Sequence, residues 1–406
     1  MPSGRLGDAW YRLAPAGVFL AILPLTHTVA LRLACLSAVL AFGLYARVRE
    51  GAPAVPFKPA ILAWAGIALA SLAWSVDREY SRGEVANEVG YAMAAFAGFY
   101  WLSRSAGEAR VLLRALVAGA FCVAVLAIAT FFTHMDWVTG ASVGVGDRNA
   151  WSTYVVLVAP VLLLAIDRRS LAVAPPWALW STFAVVLFSG ALTLNRTMWP
   201  ALGVAVVVWL ALRPSARGGK RLAGAGTIAA LAAVLALAAA QFAATNLMRH
   251  QRLAESAPNA TEFLVQDPRV QIWQFAIERA KERPLQGHGF GRGILRQQFR
   301  DALGNKLAWH AHNVFLGYAI AVGIPGLIAF VWLLASVGRA HWRLVRSGEP
   351  DARALGAFGL SLLAAMILRG MADDVIVRDA SLLFWSLTGI ALGLGTRLAR
   401  AGATAP

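Results

Sequence analysis

The chain has 406 residues, of which 59% are hydrophobic and 14% charged, and its 37 Lys and Arg against 21 Asp and Glu give a net charge of +16. Soluble domains carry about 25% charged residues and need polar surface cover, so this composition excludes a soluble globular domain of this size, and it excludes intrinsic disorder as well. A polytopic membrane protein remains, and the placement of the charges decides what the basic excess means.

A membrane span needs about 20 mainly apolar residues. In chain order such runs lie near 13–26, 29–46, 59–74, 85–102, 111–132, 150–166, 174–193, 198–212, 223–244, 311–336, 353–369 and 380–396. They predict an all-α polytopic integral membrane protein with about twelve transmembrane helices. The first run passes at once through Thr26-His27-Thr28 into another apolar run, so it reads as a span and not as a cleaved signal. The expected organisation is transmembrane helices one to nine over 1–244 and a periplasmic loop over 245–310. Helices ten to twelve and a short cytoplasmic tail then fill 311–406.

Basic residues recur in alternate loops: Arg47, Arg49 and Lys58; Arg104, Arg110 and Arg114; Arg168 and Arg169; Arg213, Arg217, Lys220 and Arg221; Arg339, Arg343, Arg346 and Arg353. Arg5 and Arg12 lie near one terminus, Arg397 and Arg400 near the other. The intervening loops are nearly neutral. This alternation is the signature of cytoplasmic loops and puts both termini in the cytoplasm. The +16 is therefore mainly a topology signal, suited to anionic lipid headgroups. No nucleic acid is expected as a partner.

The long outer loop breaks the pattern with ten Arg or Lys against six acids over 245–310. Val270, Trp273, Ala276, Ile277 and Ala280 recur at helical spacing after Asp267-Pro268, which predicts a helix that Pro284 ends. The following Gly287-His288-Gly289-Phe290-Gly291 lacks the lysine and hydroxyl of a phosphate-binding P-loop and reads as a turn placed against the membrane. Cys35 and Cys122 fall in apolar runs and read as buried free thiols, not as a disulfide framework.

Several polar residues gather at the outer ends of spans. Arg196, in Asn195-Arg196, is either an interfacial anchor or a fixed positive charge for a phosphate-bearing ligand. Arg269 stands in the first turn of the predicted loop helix, where an anion would meet both backbone N–H groups and a guanidinium; the plain alternative is a solvated arginine. His312, beside His310 and Asn313, opens span ten. Imidazole is suited to accepting a proton near neutral pH, and Asn313 either orients a ligand or caps the helix. Arg148 opens span six, and Arg369, Asp373, Asp374, Arg378 and Asp379 line the last outer loop, where the acids read by default as solvated. No Cys or acid stands at a convincing ligand spacing from the histidines, so no metal and no cofactor are expected. The spans are read as lacking the internal acids a proton-coupled transporter needs, which favours chemistry at the outer interface.

The run Arg269-Val270-Gln271-Ile272-Trp273 leads to Pro284-Leu285-Gln286-Gly287-His288-Gly289-Phe290-Gly291, and then to His312-Asn313-Val314-Phe315-Leu316 and Gly323-Ile324-Pro325-Gly326. Together with Asn195-Arg196, these motifs make the sequence resemble the bacterial lipopolysaccharide O-antigen ligases within the wider ligase and polymerase superfamily. The resemblance extends over nearly the whole chain through the number of spans and the single large outer loop. It implies an inner-membrane glycosyltransferase of the C-type fold with a periplasmic active site, independent of metal. The donor would be a glycan on undecaprenyl diphosphate and the acceptor a sugar of lipid A-core. By the same resemblance Arg196 and Arg269 would hold the diphosphate, with Arg148 and Asn313 as further substrate contacts, and His312 would act on the acceptor hydroxyl. The chain has Asn195 where many relatives carry a serine. A monomer is the favoured state. A polymerase using the same donor and a transporter of lipid-linked glycans are the alternatives.

Overall fold

The computed structural model describes residues 10–133, 148–214, 232, 236, 268–304, 308–375 and 378–404. Within them the protein is a bundle of α-helices, α1 (Trp10–Ile22), α2 (Val29–Arg49) and α3 (Lys58–Ala70), the last ending in a short 3-10 turn. Next comes one continuous helical stretch, α4 (Arg78–Glu84), a π-helical segment Val85–Tyr91 and α5 (Ala92–Leu102). Then follow α6 (Ala106–Thr133), α7 (Arg148–Asp167), α8 (Pro176–Ala191) and α9 (Met198–Leu212). The large loop contributes α10 (Pro268–Glu282) and α11 (Arg296–Leu303), and the chain closes with α12 (Val314–Val345), α13 (Pro350–Gly370) and α14 (Arg378–Thr404).

Six of these are long and apolar enough to cross a membrane: Val29–Arg49, Ala106–Thr133, Asn149–Asp167, Val314–Val345, Pro350–Gly370 and Arg378–Gly402. Large apolar side chains such as Val48, Leu62, Trp177 and Ile328 stand on the outside of the bundle, where lipid is the solvent that tolerates them. The protein is thus a multi-pass membrane protein. The expected count of twelve also needs the shorter apolar helices and residues 223–244, and the latter run lies outside the described residues except for 232 and 236. The loop-helix pattern holds in its bounds and in most of its face. Ala276 is buried against Ile294, Leu295, Phe299 and Ile320, and Trp273 and Ala280 pack on the same cluster; Ile272 joins them, while Ile277 is exposed. Cys35 is buried as expected, but Cys122 is exposed.

Alternate connections gather at two ends. At one end Arg168 binds Asp351 (2.6 Å) and Arg213 binds Asp167 (3.2 Å). There too Arg104 pairs with Glu50, and Arg397 donates to the carbonyls of Tyr100 and Ser103, both at 3.1 Å. These are arginines the charge alternation singles out; three pair with carboxylates, and Arg397 satisfies carbonyls at the C-terminal end of α5. The closest pairing in the bundle is α5 with α14. A Cβ at Gly389 would lie 2.6 Å from the Phe96 carbonyl oxygen, so a bare backbone is what lets these helices touch.

The opposite end holds the irregular structure. α12 breaks at Gly323 (φ 69°, ψ −175°), a conformation open only to glycine. The break exposes backbone groups, which the glycine-rich turn satisfies. His288 N–H donates to Ile320 O and Gly289 N–H to Ala321 O, both at 2.9 Å, and Ile324 N–H donates to Pro284 O at 2.8 Å. On its other side the turn is held by Trp74 Nε1, which donates to Gln286 O at 2.7 Å. The turn therefore lies against the bundle. Non-helical backbone at this depth is tolerated only where protein buries it or a cavity lines it.

Candidate active site

The site is built where the turn before α12 meets residues 371–375, which follow α13. Asn313 caps α12: its Oδ1 accepts the N–H groups of Phe315 (2.9 Å) and Leu316 (3.1 Å), and its Nδ2 donates to Met371 O (3.1 Å). One residue earlier, His312 adopts φ 47°. Such left-handed backbone in a non-glycine residue costs energy and persists where surroundings enforce it. The conformation turns the imidazole toward the α13–α14 connection. There Nδ1 of His312 lies 3.1 Å from Oδ1 of Asp373.

A second pair backs the first. Nδ1 of His310 lies 2.9 Å from Oδ2 of Asp374 and takes the backbone N–H of His312 at 3.1 Å. The two imidazoles stack with centroids 3.8 Å apart. Asp373 also accepts the N–H of Asp374 at 2.9 Å, which fixes the connection itself. His310, Asp373 and Asp374 are buried, while the His312 side chain is 22% exposed. Of the two histidines, His312 is thus the one a substrate can reach.

Burial by itself would raise the Asp373 carboxyl. The hydrogen bond and charge of His312, with the charges of His310 and Arg369, overcome it and hold the group well below the usual carboxylate range. An ionised Asp373 accepts Nδ1–H of His312 and leaves Nε2 as the basic nitrogen. Ligand atoms of His310, His312 and Asp373 lie within 4.8 Å of one another, so distance alone would let them hold an ion. Spacing along the sequence hid this group, because Asp373 is 61 residues from His312.

Arg196 is half-buried in the turn between α8 and α9. That turn is fixed by Asn195. Its Oδ1 accepts from Thr197 N–H (3.2 Å) and from Arg369 (3.2 Å), and its Nδ2 donates to Asn149 Oδ1. Leu194, just before it, has φ 55°. Arg369 is 1% exposed and also donates to Ser152 Oγ at 2.8 Å, so one guanidinium joins α7, α13 and the Arg196 turn. Arg269 is exposed in the first turn of α10. Arg148 begins α7, but its side chain lies outside the described residues.

Two sequence expectations are corrected here. Asp373 and Asp374 are buried partners of histidines, not solvated loop acids. The spans are also not free of internal acids. Glu88 is buried in the helical stretch 78–102, and no hydrogen bond reaches its Oε1 among the described residues.

A helical bundle with apolar spans and a partly exposed histidine held by a buried carboxylate defines a multi-pass membrane protein with a histidine–carboxylate cluster at one end. The sequence model of the O-Antigen ligase family matches residues 181–331, a stretch that contains Arg196, Arg269, the glycine-rich turn and His312. The exopolysaccharide production protein ExoQ of Rhizobium meliloti is 28% identical over 103 residues, 23% of this chain. The match spans 23% of that relative's own length. Over these stretches the chain is similar to the O-antigen ligase family, and both matches support a place in that superfamily.

Proposed function

We propose that the protein is an O-antigen ligase, a glycosyltransferase with the C-type architecture whose active site faces the periplasm of a bacterial inner membrane. It would move a glycan from undecaprenyl diphosphate to a sugar hydroxyl of lipid A-core. The observation that carries this reading is the His312–Asp373 pair at the start of α12, of which His312 lies inside the family match. Both termini would then be cytoplasmic, at the arginine-rich end of the bundle.

In this reading the acceptor oxygen attacks the anomeric carbon while its proton passes to Nε2 of His312. The bond from that carbon to the diphosphate oxygen breaks, and undecaprenyl diphosphate leaves. A single displacement inverts the anomeric centre. The ionised Asp373 stabilises the imidazolium that forms. A positioned general base contributes roughly 10²–10⁴ in rate. Arg196 and Arg269 would take the charge that builds on the diphosphate, a role in which one donor is typically worth ~3 kcal/mol of barrier. Arg148 would add a further phosphate contact. Asn313 would act by fixing the start of α12, since its amide atoms hold backbone groups.

The test is incubation of purified protein with lipid-linked glycan and lipid A-core, followed by detection of the joined lipid. Arg196→Ala and Arg269→Ala should each lower turnover about 10²–10³-fold. The name of the ExoQ relative, an exopolysaccharide production protein, favours a second reading, a polymerase with the same donor. Longer chains on undecaprenyl diphosphate, with no joined lipid A-core, would select it.

A further inference from the structure

Asp374 of the His310–Asp374 pair also lines a cavity of about 20 Å³. Four separate parts of the chain wall it: Glu88 from the π-helical segment, Phe290 and Arg292 from the glycine-rich turn, Gly317 and Tyr318 from α12, and Asp374 from the last connection. The volume admits one water or one hydroxyl, since such an occupant needs about 10–15 Å³. It does not admit a sugar ring.

The lining is chemically specific. Glu88 is only 7% exposed, and its Oε1 has no hydrogen-bond partner among the described residues. A buried acceptor left in that state is costly and calls for a donor. The residue sits in a π-helical segment, whose extra residue per turn interrupts the regular face of the helix and is often found at functional sites. Arg292 is fixed by its guanidinium, 4.9 Å over the Trp309 ring, and by a 3.5 Å contact from its Nη1 to Asp374 O. The Tyr318 ring stacks on Phe330 at 4.0 Å and its hydroxyl accepts from Trp64 Nε1 at 3.2 Å, so this wall is rigid. A carboxyl oxygen to accept an O–H, a guanidinium to donate to the same hydroxyl oxygen, and an aromatic wall suit a carbohydrate hydroxyl.

We propose that this cavity is an acceptor subsite, receiving one hydroxyl or hydroxymethyl group of the attacking sugar, with Glu88 as its specificity-determining residue. The inference rests on the glycosyltransferase reading and names which part of the substrate this corner of the site recognises. Because Asp374 belongs to both the cavity wall and the histidine pair, a hydroxyl seated here would set the sugar's orientation toward His312. Removing that hydroxyl from the acceptor, or filling the cavity, should have the same consequence.

The experiment uses full-length protein and a panel of core oligosaccharides, each with a single hydroxyl replaced by hydrogen. Acceptor binding is measured by tryptophan fluorescence and transfer by product formation. For the wild type, one deoxy position should weaken acceptor binding about tenfold or more, the others little. Glu88→Gln should bind the parent acceptor about tenfold more weakly and no longer distinguish that deoxy position, with the donor KM unchanged. Gly317→Ala gives a second probe that leaves the carboxylate in place. Its Cβ would lie 3.3 Å from Asp374 Oδ1 inside the cavity, at a helical position that alanine favours. It should mimic Glu88→Gln. If both variants bind every acceptor as the wild type does, or if only donor KM moves, the subsite is overturned while the transfer reaction stands. If the wild type joins no glycans but Glu88→Gln still loses oligosaccharide binding, the subsite stands and the ligase reading falls. Failure of the wild type to bind any oligosaccharide overturns the subsite.

Discussion

Asp373 and His312, 61 residues apart in the chain, meet with 3.1 Å between carboxylate oxygen and ring nitrogen. The contact needs the left-handed backbone at His312 on one side and the Asp373–Asp374 segment, held by its own hydrogen bond, on the other. A base oriented this way is ready before substrate arrives, which lowers the cost of organising it during the reaction.

Asp373→Asn tests that contact. The amide cannot stabilise an imidazolium and permits the other tautomer, so kcat should fall between ~10² and ~10⁴ with the donor KM little changed. The acid limb of the pH–rate profile should also move to lower pH, because a negative neighbour no longer favours the protonated ring. An unchanged limb in purified protein would remove Asp373 from the mechanism.

The same carboxyl has a stability signature. Its folded value is depressed below the unfolded carboxylate value of about 3.9. The stabilisation is therefore fully present above that value and is lost as pH falls through it toward the folded value. Thermal unfolding in detergent should show a wild-type midpoint that drops below about pH 4 more steeply than that of Asp373→Asn.

Arg369 is a structural cation at the edge of the site. Its removal in Arg369→Leu leaves the oxygens of Ser152 and Asn195 short of a donor, at an expected cost of about 2–4 kcal/mol. Arg369→Lys keeps the charge but not the planar fork and should fall between the two. Unfolding midpoints check the order. Donor KM should rise in both variants, because the turn carrying Arg196 is hung from Asn195.

A metal titration probes the histidine pair from another direction. An ion held by His310, His312 and Asp373 would replace the Asp373 hydrogen bond at Nδ1 of His312 and draw charge from the ring, which makes Nε2 a weaker base. Micromolar zinc should therefore inhibit, and EDTA should restore activity without raising it above the untreated level. Loss of activity on chelation, regained only with metal, would assign the cluster to an ion instead.

Much of this was legible in the sequence. The apolar runs foretell the bounds of α2, α6, α7, α9 and α13 within a few residues, since a span's length and apolarity are local properties. Arg196, Arg269 and His312 stand out because charge at a membrane interface is costly. What the sequence did not show depends on distant pairing. Asp373 and Asp374 look like ordinary loop acids until α12 and α13 bring them to the histidines. Glu88 is hidden because a single acid in a helix gives no periodic signal, and its π-helical setting has no sequence mark. Gly323 reads as one more glycine, yet the break it permits is what the glycine-rich turn binds.

The central claim is that His312 takes the proton of the attacking hydroxyl. Single-turnover transfer by purified His312→Ala, with donor and acceptor both saturating and donor binding measured alongside, tests it most directly. The expected result is a rate lowered by roughly 10²–10⁴ with donor binding intact. Transfer at a near-normal rate by His312→Ala would contradict it.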